Sequence, residues 1–230
     1  MTITVTWHGH ATFSLDINGQ KVVVDPFFAG NNPVAETGVD DVEADFILQT
    51  HGHGDHIADT ITLAKRTGAL VIGNIEICNW VNAQGHDNTH GMNTGGGYQF
   101  DFGYVKMTPA LHSSGLPDGS YGGDPGGYVI SADGKKIYLA GDTALFSDMA
   151  LIGRADDLDL AIVPIGDNFT MGPDDALLAL DYLKPRTVIP AHYSTWQLIE
   201  QDAAAWVERV NAEADCEGIL LDVDESHTLS

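Results

Sequence analysis

The sequence predicts a single α/β domain in which two sheets pack face to face with helices on the outside. Its 230 residues fit one domain of the larger α/β kind. Two stretches rich in strand signals occur along the chain, and helical segments follow each of them. No internal repeat, low-complexity tract or linker rich in proline and serine divides the sequence. Periodicity alone does not distinguish this sandwich from other α/β arrangements, so the choice also depends on the motifs described below.

The first strand-rich stretch begins at the N-terminus. Apolar and polar residues alternate over residues 3–7 and 13–17, and an apolar run follows at 22–24, which predicts three strands. Asn18-Gly19 is a strong hairpin signal between the second and third strands. Asp25-Pro26 then ends the third strand.

The remaining elements alternate between strands and helices. A short buried strand is predicted at 46–48, and a helical period over 57–67 ends at Gly68. The glycine-rich segment 84–97 is predicted to be a loop, and Asp133-Gly134 predicts a turn between two strands. The other predicted elements are strands at 70–72, 98–110, 126–132, 136–140, 159–164, 186–190 and 218–222, and helices at 75–83, 173–183 and 196–211.

The charge excludes several classes of partner. The chain has 10 Lys and Arg against 33 Asp and Glu, which gives a formal net charge of −23. Nucleic acids and anionic membranes are bound through basic surfaces, so we expect neither as a partner. The acidic residues are spread along the chain. This distribution fits a solvated surface that keeps the protein soluble or, alternatively, adaptation to a salty cytoplasm.

The sequence also predicts a cytoplasmic protein. It contains no run of about 18 apolar residues that could span a membrane. The N-terminus lacks the basic flank and the apolar run of a secretory signal. Two cysteines, Cys78 and Cys216, are too few for a disulfide framework.

Residues 50–56, Thr-His-Gly-His-Gly-Asp-His, are the most informative segment for function. His51 and His53 are two residues apart, so an extended chain points both side chains the same way. The glycine that follows lets Asp55 and His56 turn back toward a second point. Imidazole nitrogen and carboxylate oxygen are ligands that zinc and similar metals prefer. A satisfied polar turn is the alternative, but four such groups would compete for the same hydrogen-bond donors, so the segment predicts a metal site.

Three later polar residues follow apolar strands. His112, Asp142 and His192 each stand where a predicted strand ends. Strand ends deliver side chains into a shared cleft from a rigid backbone. Each residue alone is more typical of an ordinary core or turn position, but together with the histidine segment they indicate one site.

The motif His-x-His-x-Asp-His, followed by a His, an Asp and a His after strands, resembles the metallo-β-lactamase superfamily. Further segments are similar to its uncharacterised metal-dependent hydrolase family, which is related to L-ascorbate-6-phosphate lactonase. The resemblance covers residues 3 to about 200, and the chain departs from it at residues 221–225. The segments that carry it are Trp-His-Gly-His at 7–10, the histidine segment at 50–56, His-Gly-Met-Asn at 90–93, Ala-Gly-Asp-Thr at 140–143, Phe-Thr-Met-Gly-Pro at 169–173 and Ile-Pro-Ala-His-Tyr at 189–193.

The resemblance implies a four-layer αββα sandwich with two mixed sheets and two divalent metal ions per chain. Zinc is the first expectation, with manganese, nickel or iron as alternatives. It implies that the first metal is held by His51, His53 and His112, the second by Asp55, His56 and His192, and that Asp142 bridges both. It also implies that Asp25 orients the site from behind the ligands, with a turn cap before Pro26 as the alternative.

The implied chemistry is hydrolysis by a hydroxide that bridges the two metals. Asp55 would orient the attacking oxygen or take a proton, and the Tyr193 phenol would face a developing oxyanion unless its ring stacks in the core. His10 is expected near the site in a role other than ligation, and His8 is expected to face the other way. Ser113 and Ser114 are not expected to act as nucleophiles, because the metals supply a better one.

We therefore expect a metal-dependent hydrolase that acts on a small ester, lactone or phosphoester. A hydrolase of small cyclic phosphodiesters and a metal-binding scaffold without turnover are the alternatives. A redox di-iron protein on the same fold would replace a histidine of the first cluster with a carboxylate, but His53 is retained. The expected partner is a small-molecule substrate, and a homo-oligomer is expected because relatives commonly assemble.

Overall fold

The computed structural model of the protein describes residues 2–229, which form two seven-stranded sheets. The strands are β1 Ile3–Trp7, β2 Phe13–Ile17, β3 Gln20–Val24, β4 Phe46–Leu48, β5 Leu70–Asn74, β6 Thr89–Met92, β7 Gly97–Phe100, β8 Gly103–Pro109, β9 Gly126–Ala132, β10 Lys135–Leu139, β11 Leu160–Pro164, β12 Thr187–Ala191, β13 Glu217–Gly218 and β14 Ser226–Leu229. The helices are α1 Gly54–Ile57, α2 Thr60–Thr67, α3 Ile75–Ala83, α4 Met149–Ala155, α5 Pro173–Leu183 and α6 Ala203–Glu213, with 3₁₀ turns at Val39–Asp41 and Gln197–Ile199.

Both sheets are mixed. The first has the order β14-β1-β2-β3-β4-β5-β6, antiparallel from β14 to β3 and parallel from β3 to β6. The second has the order β13-β12-β11-β10-β9-β8-β7, parallel from β13 to β10 and antiparallel from β10 to β7. This arrangement confirms the predicted α/β sandwich of the metallo-β-lactamase type.

The core explains why the strand patterns differ. In β1 and β2 buried residues alternate with half-exposed ones, because one face of these strands packs against the second sheet and the other face does not. In β4 and β11 every residue is buried. Strands covered on both faces read as continuous apolar runs. Helices α2 and α3 cover the outer face of the first sheet and form a second cluster with Val23, Ile47 and Val71.

The structure corrects several sequence predictions. The segment 84–97 is not all loop, since it contains β6, whose residues are mostly half-exposed or exposed and show no alternation. The predicted helix at 57–67 is divided in two at Asp59, whose carboxylate accepts from the Phe28 N–H at 2.8 Å. The predicted strand at 98–110 is a hairpin of β7 and β8.

The C-terminal region also differs from prediction. Helix α6 begins only at Ala203, where the Asp202 side chain caps it by accepting from the Ala205 N–H at 2.9 Å. The predicted strand at 218–222 is reduced to β13, and helix α4 was not predicted. The segment around His227, for which the sequence predicts no element, is strand β14, which pairs with β1.

Strand directions place the predicted ligands together. Strands β3 and β4 run parallel, and so do β10 and β12 through β11. Asp25, His51, Asp142 and His192 all come just after these strands. Parallel strands end at the same edge of a sheet, and the two sheets present these edges to one another. Within residues 2–229, no helix is both long enough and apolar enough to cross a membrane.

Candidate metal centre

His51, His53 and His112 form the first group of candidate ligands. One ring nitrogen of each lies within 4.8 Å of those of the other two. His51 Nε2 is 3.0 Å from His53 Nδ1. His51 is fully buried after β4, whereas His53 and His112 are half-buried and face the cleft. These are the three residues that the sequence predicts for a first metal, and the fold brings them to one point.

Asp55, His56 and His192 form a second group, which also includes His10. Helix α1 begins at Gly54, so Asp55 and His56 lie in its first turn and point back toward the strand ends. His10 is fully buried, with Nε2 3.1 Å from Asp55 Oδ2. Its Nδ1 is 2.7 Å from the Thr195 Oγ1. The sequence places His10 near the site, but this contact with Asp55 follows only from the fold.

Asp142 lies between the two groups. Its Oδ2 is 3.0 Å from His192 Nε2 and 3.3 Å from His56 Nε2 on one side. On the other side it is 3.5 Å from His112 Nε2 and 3.9 Å from His51 Nε2. One carboxylate oxygen therefore faces the donor atoms of both groups, which is the position of a bridging ligand.

Three buried atoms of the candidate ligands have no hydrogen-bond partner among the described residues. They are Asp142 Oδ1, His56 Nε2 and His192 Nδ1. Burying an unpaired polar atom is costly, and buried polar groups in folded proteins nearly always have a partner. Divalent cations would satisfy Asp142 Oδ1 and His56 Nε2, and the surrounding ligand atoms are all imidazole nitrogens and carboxylate oxygens. The residues present therefore fit a metal centre.

The electrostatics of two candidate ligands, Asp142 and His51, favour the protonation states that metal ligation needs. At His56 and His192 the Asp142 carboxylate outweighs burial and raises the pKa, to about 9 for His192, so these rings would lose a proton on binding a cation. Burial raises the pKa of Asp142, but the neighbouring His192 and His56 imidazoles outweigh it and hold that pKa well below its usual range. Burial lowers the pKa of His51 well below its ordinary value. An ionised carboxylate and a neutral imidazole are the forms that bind a cation.

Asp25 supports the candidate ligand His56 through a hydrogen bond to the far side of its ring. It is buried, and its Oδ2 lies 2.9 Å from His56 Nδ1, which leaves Nε2 of that ring facing Asp142. The carboxylate also accepts from the Thr50 N–H at 2.8 Å and from the Thr50 hydroxyl at 2.6 Å. A carboxylate that accepts from the far nitrogen of a ligating histidine fixes the tautomer and angle of its ring. This geometry matches the orienting role that the resemblance implies.

Gln49 is a supporting residue that sequence reasoning missed. Its side-chain amide donates to Asp25 Oδ1 at 2.9 Å and to the carbonyls of His51 at 3.0 Å and His56 at 3.1 Å. It therefore ties the ends of the histidine segment together. A polar residue directly after a buried strand and before the motif was the available signal.

Three residues of this site have backbone in the left-handed region. Asp25, His192 and His10 have φ values of 46°, 53° and 56°. Residues other than glycine rarely adopt this left-handed region, and each such residue costs about 1–3 kcal/mol. At Gly141, with φ of 63°, an added Cβ would lie 2.9 Å from the Gly126 carbonyl oxygen. The glycine lets the chain turn closely before Asp142.

A cleft of about 480 Å³ opens over the candidate ligands. Phe169 and Trp196 form apolar parts of its wall, and Ser113 contributes a hydroxyl 3.2 Å from His53 Nε2. None of the described residues that line it is a lysine or an arginine. The cleft therefore offers metal-binding groups and aromatic surface but no cationic side chain.

Tyr193 is not among the residues that line this cleft, and its role at an oxyanion stays a prediction. Its ring is buried and stacks on Trp7, with ring centroids 5.3 Å apart. Burial raises the pKa of its phenol to about 12. The alternative stated for this residue, stacking in the core, is the arrangement in the structure.

Comparisons with known proteins agree with this geometry. The family model of the β-lactamase superfamily domain matches residues 20–193. A UPF0173 metal-dependent hydrolase of Bacillus cytotoxicus is 46% identical over 230 residues, covering 98% of this chain and 99% of that protein. The structure of a novel metallo hydrolase from Ignicoccus hospitalis has a TM-score of 0.91 at 33% identity, covering 100% and 99% of the two chains. An isothiocyanate hydrolase from Delia radicum gut bacteria shares the fold, with a TM-score of 0.79 at 21% identity and 99% coverage of both chains.

Proposed function

Because the chain belongs to the metal-dependent hydrolases of the β-lactamase superfamily, we propose that it cleaves a small ester or lactone at a dinuclear centre. The observation that carries the proposal is the position of Asp142 Oδ2, which is 3.0 Å from His192 Nε2 and 3.5 Å from His112 Nε2. His112 belongs to the first group of donors and His192 to the second. A carboxylate shared by two groups supports two neighbouring cations rather than one.

The residues divide into two sets of ligands. His51, His53 and His112 would hold one cation, Asp55, His56 and His192 would hold the other, and Asp142 would bridge them. When bound, divalent cations there supply an activated water as nucleophile and polarise the substrate oxygen, and zinc is our first choice of metal.

Asp55 is the candidate to orient the nucleophile and to accept its proton. About a quarter of its side chain is exposed to the cleft, at 27%. His10 holds its Oδ2 at 3.1 Å, and Thr195 holds the far nitrogen of His10 at 2.7 Å. Burial lowers the pKa of His10 to about 4, so this ring is neutral and acts as a positioning residue.

The cleft favours an uncharged substrate with an apolar group. Phe169 is 48% exposed at its wall, and Trp196 packs against His10 with ring centroids 5.0 Å apart. A phosphoester is favoured less, because no lysine or arginine is among the described residues of the cleft and the chain carries a net charge of −23. The relation to L-ascorbate-6-phosphate lactonase that the sequence resemblance implies stays part of this proposal.

The test is a substrate panel on protein loaded with zinc or manganese. Neutral aromatic esters and lactones should be hydrolysed at least tenfold faster than phosphodiesters of the same leaving group. Chelation should abolish the activity, and added metal should restore it. Phe169→Ala should raise KM for the aromatic ester about tenfold and leave KM for a methyl ester nearly unchanged. Bound metal without turnover of any substrate in the panel would instead identify a metal-binding scaffold.

A further inference from the structure

His8, Ser14 and Asp224 form a hydrogen-bonded chain outside the metal centre. His8 Nε2 lies 2.7 Å from the Ser14 Oγ. His8 Nδ1 lies 2.5 Å from Asp224 Oδ1. A carboxylate only accepts, so Nδ1 carries the proton and Nε2 accepts from the serine hydroxyl. This is the order of contacts in a serine, histidine and aspartate triad.

The chain of contacts lies on the outer face of the first sheet. Phe13 and Leu15 on β2 are buried between the sheets, so Ser14 between them points to the opposite face. Trp7 likewise points into the core, and its neighbour His8 points outward. The two histidines of the Trp-His-Gly-His segment therefore belong to different sites. His8 contacts Ser14 and Asp224, whereas His10 contacts Asp55 in the candidate metal centre.

Each member of this chain is held by further contacts. Asp224 Oδ2 accepts from the Thr37 hydroxyl at 2.8 Å, and the Asp224 N–H donates to the Trp7 carbonyl at 2.7 Å. The ring of His8 packs edge-on against Phe28, with centroids 5.4 Å apart. A general base whose ring is fixed by a carboxylate and by packing is prepared to take a proton from its neighbour.

The triad opens into a cavity of about 460 Å³. His8, Ser14 and Asp224 all line it. Lys21 also lines it and is paired with Asp16. None of the described residues that line this cavity is a candidate metal ligand. The cavity is large enough for a small acyl compound.

We propose that Ser14, His8 and Asp224 form a second, metal-independent nucleophilic site that takes small activated esters. The Ser14 Oγ forms a bond to the carbonyl carbon while its proton moves to His8 Nε2. The bond to the leaving group then breaks, and that group departs with the proton from His8. Water, deprotonated by His8, releases the acid and restores Ser14.

The test is covalent labelling of metal-loaded protein with a fluorophosphonate, read by intact mass and peptide mapping. Labelling should give one adduct per chain at Ser14, with fluoride as the leaving group. Ser14→Ala should abolish the adduct. Asp224→Asn keeps the shape of the side chain and should slow labelling at least tenfold, because it no longer fixes the histidine tautomer.

Ser113→Ala is the matched control. It removes the serine hydroxyl that lies closest to a candidate metal ligand, 3.2 Å from His53 Nε2, and it should be labelled as the wild type is. Melting curves on all variants confirm that they are folded. The same contacts could serve only to clamp the C-terminal turn onto β1. In that case the wild type would not be labelled and Ser14→Ala would merely melt lower, which would overturn the proposal, as would an adduct that survives Ser14→Ala.

Discussion

His8 and His10 are two residues apart and contact two sites of different construction. His10 reaches Asp55 in a centre built from the strand ends of both sheets, where Asp142 Oδ1 and His56 Nε2 have no hydrogen-bond partner among the described residues. His8 reaches Ser14 and Asp224, where both ring nitrogens are engaged. The difference teaches that a polar chain whose atoms are all hydrogen-bonded needs no cation, whereas unpaired buried ligand atoms indicate where a cation belongs.

The largest expected effect comes from removing the bridge. Asp142→Ala should lose most of both metals and reduce hydrolysis at least about 100-fold, because the bridge also screens the repulsion between two nearby dications. Asp55→Ala, which removes a ligand of one cation only, should retain about one metal per chain and also lose activity. Elemental mass spectrometry on folded protein measures both.

Asp174→Asn is the matched control, because its side chain is 88% exposed and is not among the residues that line the cleft. It should retain two metals per chain. Tight binding of two metals by Asp142→Ala would show that the ligand assignment is wrong.

His10→Gln tests whether the contact with Asp55 positions that carboxylate. Loss of an outer partner of a ligand typically costs 10–100-fold in metal affinity or activity, so we expect kcat to fall by about that factor while KM changes little. His227→Gln, on strand β14 and half-exposed, is the control and should keep wild-type kinetics. Equal effects of the two substitutions on kcat would show that His10 does not position the Asp55 carboxylate.

Metal removal should lower Tm through the candidate metal centre alone, independently of the contacts of Asp224. A ligand present at 1,000 times its Kd stabilises the folded state by about 4 kcal/mol, which corresponds to about 10 °C in Tm for a chain of this size. Chelation should therefore lower Tm by about 10 °C in the wild type and by the same amount in Asp224→Asn. Differential scanning calorimetry measures the shift. A chelator-insensitive Tm would mean that the unpaired atoms of the centre need no cation.

The smallest expected effect concerns the acidic surface shared by both regions. With a net charge of −23, repulsion between carboxylates is screened as the Debye length falls to about 3 Å in 1 M salt. We expect Tm of the metal-saturated protein to rise by about 2–4 °C between low salt and molar KCl. A Tm that stays constant or falls as the KCl concentration rises would contradict the hypothesis of salt adaptation.

The sequence predicts much of the metal centre because its chemistry is local. Four of the candidate ligands lie within residues 51–56, and His112, Asp142 and His192 follow apolar runs that were identifiable as strands. The alternation in β1 and β2 was likewise visible, because one face of each strand packs in the core.

Other features depend on contacts that no local pattern contains. Tyr193 follows His192, whose φ of 53° turns the chain, and the tyrosine ring lies on Trp7 from the other end of the sequence. Asp224 is 216 positions from His8 along the chain. Strand β6 forms through backbone pairing with β5 and therefore carries little side-chain signal.

The pairing of β14 with β1 has a consequence for the order of assembly during synthesis. Ile3 faces Leu229 in that pair, so β1 obtains its outer neighbour only when residue 229 has emerged. Pairing between distant segments is slow because loop closure must come first. The candidate metal ligands are all present once His192 is made, whereas Asp224 reaches His8 later. A nascent chain would thus be able to bind metal before its outer triad exists.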